Sequence, residues 1–194
     1  MSEVSEILEF WFGKPDEADE ADYGKSRKVW FTKNPEFDDE VRSRFLHVYN
    51  QAVAGELDDW KTTPQGCLAL IILLDQFPRN MFRGQPQAFA TDPQALAYAK
   101  YAVTQGFDKE LPKLQSWFVY LPFEHSENLA DQRQCVELCE QLGDEPEMRE
   151  VIDYAYRHLR VIERFGRFPH RNQILGREIT PEEANFLKQP GSSF

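Results

Sequence analysis

Three cysteines are all this chain has, and an odd number supports no disulfide framework. Cys67, Cys135 and Cys139 therefore suit a reducing compartment, and the expected location is the cytoplasm. Cys135 and Cys139 stand four apart on an expected helix, but no third or fourth metal ligand is near them in sequence. They read as small core hydrophobes. Positive charge is also scarce: 22 Lys and Arg against 33 Asp and Glu leave a net charge of −11. A nucleic-acid binder needs a basic footprint, and docking on anionic lipid needs the same, so both partner classes are set aside.

Long apolar runs are missing too. The longest, Cys67 to Leu74, falls far short of the roughly 20 residues a bilayer span requires. The opening MSEVSEILEFWF carries no basic segment and no cleavage site, so no signal peptide is expected. No GxSxG, Walker loop, CxxC or strand-borne GxGxxG is present. Nothing in the sequence calls for a cofactor or a resident metal. Period-2 strand patterns are lacking, and no linker rich in Gly, Pro and Ser divides the chain. The expected organisation is one helical domain over 1–194, with an acidic loop at 14–22 and a flexible tail at 189–194.

What remains is helical periodicity almost throughout. Apolar residues make up 41% of the chain, with 15 phenylalanines among them, enough for a core of large aromatic knobs. Ile7, Leu8, Trp11 and Phe12 line a first helix over 4–12 that Gly13 ends, and a short helix is expected at 24–31. Asn34-Pro35 starts a helix running to Gly55, and Thr63-Pro64 starts one whose body CLALIILLDQF is apolar all round until Pro78 closes it. Asp92-Pro93 opens 93–105, and 113–121 is stopped or kinked at Pro122. Ser126 or Asn128 caps 129–142, Pro146 begins 146–165, and Thr180-Pro181-Glu182-Glu183 is a capping box. The fold class is all-α: about eight helices in antiparallel, tetratricopeptide-like hairpins, with no strict repeat period.

Three polar clusters interrupt the apolar runs: DQFPRNMFRG (75–84), YLPFEHSENLADQ (120–132) and RHLRVIERFGRFPHRNQILGR (157–177). The first and third share Phe-Pro followed by Arg and Asn. One reading is structural, a pair of matched helix-stop devices whose Arg and Asn bond free carbonyls at helix ends. The other gathers Arg79, Asn80, Arg167, Arg171 and Asn172 around a carboxylate or phosphate, anions that guanidinium groups bind bidentately. Glu124, His125 and Glu127 invite acid–base or metal chemistry with His158, His170 or Asp75, although their spacing is that of neither HExxH nor ExxH. Against this, His158 falls on an apolar stripe, where a hydrogen-bonded core histidine is the ordinary case, and Glu124 and Glu127 also fit a solvated helix start.

Taken together, FWFG (10–13), LDQFPRNMFRG (74–84), YLPFEHSE (120–127), Asp131-Gln132 and RFGRFPHRNQILGR (164–177) resemble the bacterial family called domain of unknown function 924. The resemblance spans residues 4 to about 188. It implies an all-helical, tetratricopeptide-like fold, and it brings no established activity and no catalytic residue.

Two functions follow as expectations. The first is a binding module whose polar, Arg-containing pocket or groove takes an anionic small molecule or peptide. The second is a small-molecule enzyme, metal-dependent in one variant, in which Glu124 or His125 moves a proton and Arg79, Arg167 or Arg171 clamps the substrate anion. The discriminating observation is whether Arg79, Glu124, His125, His158 and Arg171 converge.

Overall fold

The structure, a computed structural model, describes residues 2–14, 27–30 and 32–192. All of the expected acidic loop except Lys14, half of the short helix expected at 24–31 and the end of the tail lie outside the described residues; of that helix, Lys28–Trp30 forms a 3-10 turn. Helix α1 (Glu3–Phe12) starts at the Ser2 cap, and Gly13 ends it at φ 90°. Asn34 accepts from the amides of Glu36 and Phe37 to open α2 (Pro35–Val53), with Pro35 where no amide proton is needed. Thr63 caps α3 (Pro64–Ile71) in the same way.

Beyond α3 the chain does not stop at Pro78. It passes through a π-helical segment (Ile72–Gln76) into α4 (Phe77–Met81). The physical reason is part local and part a contact from further along the chain. Proline has no amide proton and its ring crowds the carbonyl four residues back, so the helix widens by one residue instead of breaking. The Phe77 amide then reaches the Ile72 carbonyl, and the Leu74 carbonyl takes the Thr91 hydroxyl at 2.5 Å. That bond satisfies a buried acceptor that Pro78 has orphaned. Thr91→Val is therefore expected to lose about 1–3 kcal/mol in urea unfolding, although it preserves side-chain volume.

Helix α5 (Asp92–Gln105) follows, then α6 (Lys113–Glu124), which carries Pro122 inside it and runs on to Glu124. Asn128 caps α7 (Leu129–Glu140), α8 spans Pro146–Phe165 and ends at Gly166 with φ 68°, and the Thr180 capping box opens α9 (Pro181–Phe186). Because α3, the π segment and α4 are continuous, the described residues hold eight helical rods and no strand. Short turns fold α6 back on α7 and α7 back on α8, which gives antiparallel hairpins.

The α3–π–α4 rod is the axis of the packing: Gly66 through Pro78 is buried without a break. Its Phe77 meets Phe45 at 4.8 Å and Trp11 at 5.6 Å, and Phe118 from α6 stands edge-on to Trp30 at 4.7 Å. Cys135 and Cys139 lie in the core with their sulfurs 3.9 Å apart. A smaller apolar cluster of Val161, Ile162 and Phe168 seals the end of α8. Among the described residues no helix is long and apolar enough to cross a membrane.

Candidate functional site

The π segment places Asp75 where three other parts of the chain meet. Asp75 is fully buried, and its carboxylate lies 2.8 Å from Nδ1 of His125, the residue that ends α6. An ionised carboxylate only accepts, so Nδ1 carries the proton and Nε2 is left as the acceptor. Arg79, one turn on, bonds the Asp75 carbonyl and lies 3.5 Å from its carboxylate. The same guanidinium grips Asp92, the first residue of α5, through two bonds of 2.9 and 3.1 Å. Asp92 in turn lies 3.4 Å from Arg171, which arrives on the 3-10 turn Pro169–Arg171 beyond α8. His125, Asp75, Arg79, Asp92 and Arg171 thus form one alternating chain of charge and hydrogen bonds.

The guanidinium of Arg171 lies against two aromatic rings. Its central carbon sits 4.7 Å over the Phe89 ring and 4.6 Å over the Phe168 ring, and both ring faces favour a cation there. Its edge is less well served. Asp92 at 3.4 Å is a long contact, and buried Nε makes no hydrogen bond among the described residues. Phe168 also meets His158 edge-on at 5.5 Å and His170 at a tilt at 5.7 Å. His158 gives its Nδ1 proton to the Tyr154 carbonyl at 2.9 Å and lies 3.4 Å from Glu124.

The electrostatics follow from this burial. Desolvation would raise the Asp75 carboxyl, but Arg79 and then His125 hold it down at about 2. Glu124 has no cation to do this. Burial, reinforced by the charge of Asp75, pushes it up to about 8, so it is protonated at neutral pH. Burial pulls His158 and His170 down to about 3, with nearby cations adding to the effect, and lowers His125 with help from Arg79. Burial, then the charge of Arg79, brings Arg171 down to about 10. The carboxyl groups of Asp75 and Asp92 face the guanidiniums of Arg79 and Arg171, so acidic and basic groups match in number along the chain of contacts.

Arg79, Glu124, His125, His158, His170 and Arg171 are therefore brought together. The other expected residues go elsewhere. Glu127 accepts the Phe168 amide at 2.8 Å and pairs with both terminal nitrogens of Arg177 at 2.7 and 3.0 Å, pinning the turn after α8. Arg167 makes two bonds to Glu183, at 2.6 and 2.8 Å, and Asn172 is buried beside the same carboxylate. These three serve the local fold near the centre. Asn80 points the other way and donates to Asp38 of α2 at 2.8 Å, lining a surface groove of about 340 Å³. Another groove, of about 480 Å³, runs between the end of α2 and α5 and contains none of the expected residues.

Two expectations need correction. Neither Phe-Pro element is a helix stop: Pro78 lies inside a continuing rod, and Pro169 opens the turn that carries Arg171, three residues after Gly166 has already ended α8. Asp92 is not a helix cap either. Thr91 holds the cap position, so the Asp92 carboxylate is free to face both arginines. Asp92 and Phe89 carried no signal in the sequence beyond a proline-marked helix start. Among the described residues no three His, Cys, Asp or Glu side chains stand in an arrangement that could hold a metal ion.

Among curated proteins nothing matches the chain. The solved structure of a protein of unknown function, ATU0120 from Agrobacterium tumefaciens, is similar to it at 39% identity and a TM-score of 0.82, covering 95% of this chain and 96% of that one. Residues 7–191 match the family described as "Bacterial protein of unknown function (DUF924)", and the chain belongs to that family.

Proposed function

We propose that this protein binds a small anion, a carboxylate or phosphate on a small molecule or peptide end, at the edge of the Arg171 guanidinium. One observation carries the reading: a nearly fully buried guanidinium lies over two phenyl rings while its hydrogen-bond donors have a single long partner among the described residues. A buried charge kept so poorly satisfied is costly to the fold, and such cost persists where binding uses it. Entry would be at the rim, where Arg79, Asp92 and His125 keep 20%, 16% and 15% of their side chains exposed. A planar guanidinium held in one orientation suits in-plane, bidentate recognition of a carboxylate or phosphate.

The test is the shift in melting temperature of the full chain with acetate, sulfate and inorganic phosphate. At least one is expected to raise it, and Arg171→Met, which keeps an apolar filling between the rings, should abolish the shift. Equal shifts in wild type and variant would remove Arg171 from the site. The Asp75–His125 pair favours a second reading, in which the protein also moves a proton on its bound ligand with His125 as base. His125→Gln would then lose turnover even at saturating ligand.

A further inference from the structure

Charge balance at the centre limits how an anion can enter it. Two guanidiniums already face two carboxylates, so a bound anion leaves the site negative, by one charge for acetate and two for sulfate. A mostly buried site holds net charge poorly. We propose that anion binding at Arg171 is coupled to the uptake of a proton by Nε2 of His125, an inference that rests on the anion-binding reading above.

Every element around His125 contributes to the choice of acceptor. Asp75 from the π segment lies 2.8 Å from Nδ1, Arg79 from α4 and Asp92 from α5 lie further along the chain of charge, and Glu124 precedes it on α6. His158 on α8 and His170 and Arg171 beyond it face the same centre. Of the three imidazoles there, His125 has Asp75, an ionised carboxylate, in direct contact at 2.8 Å to hold the imidazolium. His158 spends its Nδ1 proton on a backbone carbonyl, and its carboxyl neighbour Glu124 is protonated. His170 stands beside the Arg171 charge. His125 also keeps a fraction of its side chain exposed, which gives a proton from solvent a route in.

The step is simple to balance. A solvent proton adds to Nε2, the other ring proton stays on Nδ1 and is still donated to Asp75, and the new positive charge offsets the anion. Binding and protonation then strengthen each other by the same factor. Affinity should rise as pH falls through the neutral range, by up to about tenfold per pH unit.

Titration calorimetry on the full chain, with acetate and with sulfate, tests this directly, because neither anion titrates in that range. The measurement is made at one pH in two buffers of different ionisation enthalpy. The expected result is an apparent enthalpy that differs between buffers by close to one proton's worth per anion bound. In His125→Asn, which still donates to Asp75, binding should weaken and the buffer difference vanish. Arg171-dependent binding with equal enthalpies in both buffers would overturn the coupling and leave the anion site standing. A buffer difference that persists in His125→Asn would overturn the assignment to His125. Failure of both anions to bind wild type would remove the site and the coupling together.

Discussion

Unfolding free energy measured across pH should peak near pH 6.5 and fall on both sides, more steeply toward acid. The acid limb comes from the buried histidines. A histidine whose pKa is depressed in the folded state contributes stability above its unfolded value of about 6.5 and loses it as pH drops toward the folded value. His158 and His170 stay neutral down to about 3, and His125 is lowered as well, so all three act in the same direction. Glu124 opposes them. Its folded pKa of about 8 lies above the unfolded value, so its contribution is complete below about 4.5 and is lost as pH rises to about 8. His158 and His170 against one glutamate leave one proton net between about pH 4.5 and 6, a slope of roughly 1.4 kcal/mol per pH unit to which His125 adds in the same direction. On the alkaline side Glu124 acts alone, at roughly 1.4 kcal/mol per pH unit up to about pH 8.

Glu124→Gln isolates that limb. The amide cannot ionise, so the alkaline decline should flatten and the variant should gain on wild type steadily from about pH 6.5 to about 8. Urea unfolding at half-unit pH steps reads both limbs. A wild-type curve that is flat between pH 6.5 and 8 would mean that Glu124 is ionised in the fold and finds a cation there.

Local chemistry explains which parts of this architecture could be read in advance. Asn34-Pro35, Thr63-Pro64 and the Thr180 capping box each complete a helix end within three residues, and each stands where expected. Pro78 misleads for an equally physical reason. Its effect depends on the Thr91 hydroxyl, far along the chain, which accepts the task of satisfying Leu74. Asp92 looks like a cap because Asp-Pro usually is one, yet its partners arrive from 13 residues before it and 79 after it. The convergence of the three polar clusters could be posed as a question from their residue types. Which carboxylate faces which guanidinium could not, because helix packing alone decides it. Asn80, with the same local context as Arg79, turns to α2 because successive helical residues point about 100° apart.

Asp92→Asn is expected to be among the most damaging substitutions in the molecule, at about 3–5 kcal/mol, because it strips the shared counter-charge from two mostly buried guanidiniums. Arg79 would keep Asp75, but Arg171 would keep only its rings. Arg171→Met makes the opposite change. It removes the least compensated charge, leaves Asp92 in its two bonds to Arg79, and fills the space between Phe89 and Phe168 with a flexible apolar side chain. Its stability should stay within about 1 kcal/mol of wild type or exceed it. The double variant should recover much of the loss seen in Asp92→Asn, since the stranded charge is then gone. Urea unfolding of the three variants decides what Arg171 does for the fold. If Arg171→Met costs as much as Asp92→Asn, the guanidinium is a structural clasp, and the argument from its poorly served edge to a bound anion fails.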